Sequence, residues 1–245
     1  MYWERFFSLR IIIIPFLQNI LGQKGFLLLP SSSFRSSERI KVLFGMPGCG
    51  KSSLLINCCR EGQSFISDDY TILNPNGQIF RILSKLFLRA STFSSSRNIR
   101  LSKRVSQELK RFIARASGNS ISLATQFEPS DIFTGETISS TEGPISIFYI
   151  NRDGSNDHVH CEEVGPEILQ NYIMLLEKST FVWYGNLLSV FGLLSPSLKI
   201  SQYWERMEKN LTSLLTNSKC YFLSLPSGVL KQTIIEQACY KILSL

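Results

Sequence analysis

This sequence is short of charge and almost without histidine. Asp, Glu, Lys and Arg make up 18% of 245 residues, against roughly 25% in an average soluble domain, and there are 2 histidines. With 44% hydrophobic residues the chain is no disordered tail, so much of its surface must be Ser- and Asn-rich or covered by a partner. It also lacks CxxC spacing. Cys49, Cys58, Cys59, Cys161, Cys220 and Cys239 therefore read as free thiols in a reducing compartment, with a cytoplasmic location expected. His158, His160 and Cys161 have no second ligand cluster elsewhere, which argues against zinc. An uninterrupted apolar run of about 20 residues is missing too. The stretch "FFSLRIIIIPFLQNILGQKGFLLL" is broken by Arg10, Pro15, Gln18, Asn19, Gln23 and Lys24, so no membrane span is expected. Arg5 and Arg10 ahead of "IIIIPFL" imitate a signal peptide, but no small-x-small cleavage site follows, and a buried first helix or strand is the expectation. Repeats and low-complexity linkers are also missing, so residues 1–24 read as an N-terminal extension or helix and residues 25–245 as one domain.

The charge that is present is mostly positive. A formal net charge of +7 and a pI near 9.2 favour anionic ligands: nucleotides, acidic peptides, nucleic acid or lipid headgroups. Between Ser91 and Ser120 the cations Arg97, Arg100, Lys103, Arg104, Lys110, Arg111 and Arg115 face a single Glu108, while Val105, Leu109, Phe112, Ile113 and Ala116 recur at helical spacing. This predicts an amphipathic basic helix, either a solvated face or a docking surface. Residues 118–144, rich in Ser, Thr and Gly, read as loops over a site.

Strand and helix patterns alternate along the chain, predicting an α/β fold with a mixed β-sheet flanked by helices. "GFLLLPSSSF" and "RIKVLF" read as strands joined by a Ser-rich turn, and Ser52 to Arg60 as a helix with Leu54, Leu55, Cys58 and Cys59 inward and Gly62 as its stop. "SFISDD" reads as a strand sent back by "NPNG" into "QIFRIL". "PISIFYI", "HVHC" and "CYFLSL" are further strands; "PEILQNYIMLLEKS", the segment around Trp204 to Leu215, and Ser227 to Leu245 are further helices.

One motif carries chemistry. Gly45-Met46-Pro47-Gly48-Cys49-Gly50-Lys51-Ser52, followed by Ser53, matches GxxxxGK[ST] between a β-run and a helical segment. Glycines let the backbone curl so that successive N–H groups face phosphate oxygens, and the helix N-terminus adds partial positive charge. Lys51 supplies a full charge to the outer phosphates, and the Ser52 hydroxyl suits Mg²⁺. An NKxD base-reading motif at the right spacing is missing, as is an LSGGQ-like signature, so the adjacent Asp68 and Asp69 are left to define the reaction. Two carboxylates beside a triphosphate can divide the labour, one holding Mg²⁺ and the other accepting a proton.

The run Arg39 to Gly77, "RIKVLFGMPGCGKSSLLINCCREGQSFISDDYTILNPNG", with its Asp-Asp pair following Lys51 at this distance, resembles the HPr kinase/phosphorylase-like P-loop kinases, relatives of the phosphoenolpyruvate carboxykinase fold. Weaker similarity extends to "QKGFLLLPSSSF", "PISIFYINRDG" and "CYFLSLPSGVLKQTIIEQACYKIL". The resemblance implies a P-loop mixed sheet like the HPr kinase C-domain, ATP and Mg²⁺ as cofactors, and a serine in a peptide or small protein as acceptor. A small-molecule hydroxyl kinase and a non-catalytic nucleotide-binding module are the alternatives. By the same resemblance Asp68 is the general base, Lys51 binds the outer phosphates, and Ser52 and Asp69 hold the metal. No nucleic-acid partner is expected, and a homo-oligomer is left open. Pro30 stands where many relatives carry histidine, and the glycine- and arginine-rich second signature of true HPr kinases is missing. The looser branch that modifies serine in ribosomal peptide precursors, such as lasso peptides, is therefore the closer likeness.

Overall fold

The protein is described by a computed structural model over residues 2–82, 86–89, 124–129, 132–133, 136–153, 158–181, 192–193, 195–228 and 231–245. The expected basic helix between Ser91 and Ser120 lies outside these residues, as does Leu230. Among the described residues the fold is mixed α/β, with sheets flanked by helices.

Its centre is set by two strands with apolar runs on both faces. β3 (Arg39–Gly45) and β10 (Ile145–Asp153) pair in parallel from Ile145↔Ile40 to Ile150↔Gly45, and β12 (Lys219–Pro226) pairs in parallel with the other edge of β10. Parallel strands buried on both sides need continuous hydrophobic sequence, which "RIKVLF" and "ISIFYI" supply. β2 (Ser32–Ser36), β4 (Ser64–Ser67) and β11 (His160–Glu163) extend the sheet antiparallel, in the order β11-β12-β10-β3-β2-β4. A smaller antiparallel sheet runs β1 (Leu27–Leu29), β5 (Thr71–Leu73), β6 (Gln78–Arg81) and β9 (Ser140–Glu142), and β7 (Leu86–Arg89) pairs with β8 (Ala124–Phe127).

Alternation along β3 sorts the core into two clusters. Leu43 joins Phe34, Phe148, Tyr221 and Leu223 beneath α2 (Lys51–Arg60) and the C-terminal helix α5 (Gln232–Ser244). Ile40, Val42 and Phe44 face the other way, with Ile147 and Tyr149, onto α3 (Pro166–Phe181), α4 (Tyr203–Thr216) and the smaller sheet. As expected, α2 buries Leu54, Leu55, Cys58 and Cys59, and Gly62 follows its end at φ 89°. On the far side α5 is tied to α2 by Gln232 Nε2 donating to Asn57 Oδ1 at 2.9 Å and by Cys239 Sγ near Leu54 O at 3.5 Å.

Three local readings are corrected. "GFLLLPSSSF" is not one strand: β1 ends at Leu29 and Ser32 and Ser33 begin β2, with Ser31, Ser32 and Ser33 fully buried, while the Ser-rich turn into β3 falls as expected at Ser37 and Glu38. Buried hydroxyls must be paired, and Ser33 Oγ meets Thr71 Oγ1 at 3.2 Å, while Thr71 Oγ1 donates to Ser31 O at 3.3 Å. "QIFRIL" returns beside β5, the strand that follows the aspartates, rather than beside β4. Within the stretch read as loops, β8 and β9 form, and residues 136–138 line the edge of β4, where Phe65 N donates to Glu136 O at 3.0 Å and Ile138 N to Phe65 O at 2.9 Å.

Residues 2–23 form the helix α1 (Tyr2–Gln23). Its inner face holds the polar Gln18 and Asn19 beside the buried Pro15. Gln18 Nε2 donates to Leu28 O at 3.0 Å and to Glu177 Oε2 at 3.1 Å, while Arg206 Nη2 donates to Asn19 Oδ1 at 2.7 Å. Among the described residues no helix is long and apolar enough to cross a membrane.

Glu177 is buried, and desolvation pushes its carboxyl up to about 8, the hydrogen bond from Gln18 opposing the rise. The folded chain keeps this proton across a window from about pH 4.5 to 8 in which the unfolded chain has released it, so stability falls as pH rises through that window. Glu177→Gln keeps the shape and removes the cost. Urea melts should therefore show the variant gaining on the parent protein between about pH 5 and 8, with the gap levelling off above it; equal melts at every pH would place an ionised carboxylate there.

Candidate functional site

β3 ends on Gly45, and the loop Gly45–Gly50 turns the chain into α2. Three glycines make the turn with φ of 146° at Gly45, 85° at Gly48 and 111° at Gly50, a region L-residues rarely adopt. At Gly45 there is a second constraint: a Cβ would meet Ile150 O of the neighbouring strand at 2.4 Å and Cys49 Sγ at 2.8 Å. Met46, Pro47 and Gly48 are exposed at the tip, while Cys49 is buried beneath it, its N–H donating to Met46 O at 3.1 Å.

Gly50 is the N-cap of α2, and no side chain caps the helix. Helix geometry leaves the first N–H groups of α2 without intrahelical acceptors, which suits an anion at the loop. Lys51, the first helical residue, folds back over the loop: its Nζ donates to Gly45 O at 2.6 Å and to Met46 O at 3.2 Å, and lies 3.9 Å from Cys49 Sγ. Ser53 is partly buried in the same turn, its carbonyl accepting from Asn57 Nδ2 at 2.8 Å.

The order β3-β2-β4 carries the acidic pair to this turn. Asp68 directly follows β4, two strands from β3, and its carboxylate lies buried against both neighbours. Oδ1 accepts from Ser52 Oγ on α2 at 3.1 Å and from Ser32 Oγ on β2 at 2.5 Å. Burial raises the Asp68 carboxyl to about 6, the charge of Asp69 pushes the same way, and the two serine hydrogen bonds work against both. The turn is fixed by Ser67 Oγ donating to Tyr70 O at 2.5 Å and Tyr70 N to Asp68 O at 2.9 Å. This puts Asp69 at φ 69°, a left-handed conformation that Asp tolerates better than most residues, and leaves it partly exposed beside its buried neighbour.

The structure thus joins Ser52 to Asp68 in one hydrogen-bonded group and gathers Gly45, Met46, Cys49 and Lys51 in another, with Asp69 next in chain. Ser32 is the member that sequence reasoning missed. Its signal was present: Ser32 and Phe34 alternate onto the α2 face of β2. Pro30 lies just past β1 and two residues before Ser32. Elsewhere, exposed His160 pairs with Glu162 at 3.6 Å, and among the described residues no three His, Cys, Asp or Glu side chains converge on a metal.

In comparisons with protein-family models and with curated proteins, nothing matches the chain. The arrangement must be read from its chemistry. Asp68, Ser32 and Ser52 bring side-chain oxygens together at the turn, and hard cations such as Mg²⁺ prefer such donors. At Gly45 the absent Cβ makes room for the backbone of β10 and for Cys49, which holds the start of the loop against the neighbouring strand.

The two constraints on Gly45 separate in a substitution pair. Gly48→Ala has only an unfavourable φ to bear, since its Cβ meets nothing within 4 Å, and should cost about 1 kcal/mol. Gly45→Ala adds a collision with Ile150 O and should cost about 2–4 kcal/mol in denaturant titrations. An equal cost at both positions would mean that β10 does not press on the loop.

Proposed function

We propose that this chain is an ATP- and Mg²⁺-dependent kinase that transfers the γ-phosphoryl group to a hydroxyl, foremost a serine of a peptide or small protein. The observation that carries the reading is the buried Asp68 carboxylate bonded to Ser52 in the first turn of the helix that follows the glycine loop. A proton acceptor and a metal-ligating hydroxyl in contact at a phosphate cradle are what phosphoryl transfer needs, because that reaction depends on positioning and charge stabilisation. The mixed sheet, with its loop after a central parallel strand, supports an assignment to the HPr kinase C-domain and phosphoenolpyruvate carboxykinase-like fold. Six free cysteines suit the ATP-rich, reducing cytoplasm.

In this reading the loop N–H groups from Gly45 to Ser53 and the Lys51 ammonium hold the triphosphate, with Lys51 exchanging its contacts to Gly45 O and Met46 O for the outer phosphates. Ser52 and Asp69 would hold Mg²⁺, which would supply positive charge to the phosphate oxygens. Asp68 takes the proton of the acceptor hydroxyl as that oxygen bonds to the γ-phosphorus. The bond from γ-phosphorus to the bridging oxygen breaks, and ADP leaves with its electron pair. A carboxyl held near 6 is ionised at neutral pH yet basic enough to accept a proton. Ser32 keeps Oδ1 oriented. The basic segment around Arg104, Arg111 and Arg115 supplies charge suited to an acidic acceptor peptide.

Calorimetry and transfer assays with radiolabelled ATP and serine peptides test the division of roles. Asp68→Asn should retain ATP·Mg²⁺ binding and lose transfer by roughly 10² to 10⁴. In the parent protein kcat/KM should climb as pH rises through about 6, and this limb should vanish in the variant. Asp69→Asn should shift the Mg²⁺ concentration for half-maximal rate, and Lys51→Ala should abolish most nucleotide affinity in a folded protein. Nucleotide binding with no transfer to any hydroxyl would reduce the chain to a nucleotide-binding module.

A further inference from the structure

The helix α1 is turned inside out. Gln18 and Asn19, on its inner face, are 6% and 2% exposed, whereas Ile13, Leu17 and Ile20 are 42%, 40% and 42% exposed. These three stand at i, i+4 and i+7, so they form one ridge along the outer face. A surface helix in water has the opposite arrangement. The inner polar groups are not misplaced: Gln18 is bonded to Leu28 O and Glu177, and Asn19 to Arg206. The packing therefore fixes which face is out, and among the described residues nothing covers the exposed hydrocarbon.

We propose that the outer face of α1 seats the protein on an anionic lipid bilayer, with the helix lying in the headgroup plane and Ile13, Leu17 and Ile20 entering the acyl boundary. Charge complementarity selects this occupant. Lys24 follows the helix and is exposed. The exposed Lys199 is held beside α1, because Arg206 Nη2 that bonds Asn19 also donates to Lys199 O at 2.8 Å. The helix sequence itself contains Arg5 and Arg10 against Glu4 alone, within a chain of net charge +7. Aliphatic side chains on one face with lysines at its rim make an interfacial helix, which gains from apolar insertion and from headgroup phosphates together. Its length suits the part: 22 residues make a rod of roughly 33 Å that can lie flat.

Flotation of the full chain with phosphatidylcholine vesicles, with and without phosphatidylglycerol, tests this. Binding is expected on the mixed vesicles, weak on pure phosphatidylcholine, and reduced by salt. Replacing Ile13, Leu17 and Ile20 together by Gln should lower partitioning at least roughly tenfold, with circular dichroism unchanged. Lys24→Glu with Lys199→Glu should lower it on the anionic vesicles alone. If the triple variant does not fold, Leu17→Asn at its exposed site gives the same comparison. Absence of flotation, or flotation untouched by the ridge substitutions, overturns the proposal. So does light scattering that shows a dimer which the ridge variant breaks, since the face would then belong to a second copy of the chain.

Discussion

One carboxylate oxygen holds the candidate site together. Asp68 Oδ1 accepts from a strand hydroxyl, Ser32, and from a helix hydroxyl, Ser52, so β4, β2 and the first turn of α2 share a single acceptor. Hydrogen bonds to an ionised acceptor are about twice as strong as neutral ones, and burial leaves water unable to replace them. The same burial raises the carboxyl toward neutrality. The two tendencies oppose each other: the group that ties the turn in place is also the group most ready to take a proton. A phosphoryl-transfer site gains from that conflict, because the base is positioned by contacts its own protonation would weaken.

Beneath it the constraint is steric. Gly45 sits in register with Ile150, and nothing larger than hydrogen fits between that Cα and the neighbouring carbonyl. The central parallel pair therefore fixes where the loop starts, and α2, clamped from behind by α5, fixes where it ends. The loop has little freedom to drift between the two, which is the preorganisation a phosphate cradle requires.

The glycine loop, α2 with its inward Leu54, Leu55, Cys58 and Cys59, the strand ending on Asp68 and the central strands were legible because each follows from local rules: positive φ needs glycine, and period sorts faces. What was not legible depended on partners distant in sequence. The break between β1 and β2 was hidden inside what reads as one strand, "GFLLLPSSSF", because the buried serines that open β2 depend on distant partners: Ser33 is paired with Thr71 and Ser32 with Asp68, and only tertiary contact makes a buried serine strand tolerable. The reversal of α1 was hidden for the same reason. Its inward Gln18 and Asn19 bond to Glu177, Leu28 and Arg206, residues that no local pattern associates with them. The contact between Ser52 and Asp68 followed from motif spacing only in outline, since it was the strand order β3-β2-β4 that closed the distance.

The position of β12 bears on how the chain is made. β12 lies between β10 and β11, and among the described residues β11 pairs with no other strand. A ribosome delivers β3, β10 and β11 well before β12, so the nascent chain carries an open parallel edge on β10, lined by Phe148 and Tyr149, and a β11 that has nowhere to dock. α5, which covers the loop helix from behind, arrives later still. Exposed edges of this kind recruit other chains. Until β12 has been made, the β10 edge is therefore open to chaperones and to misassembly during synthesis.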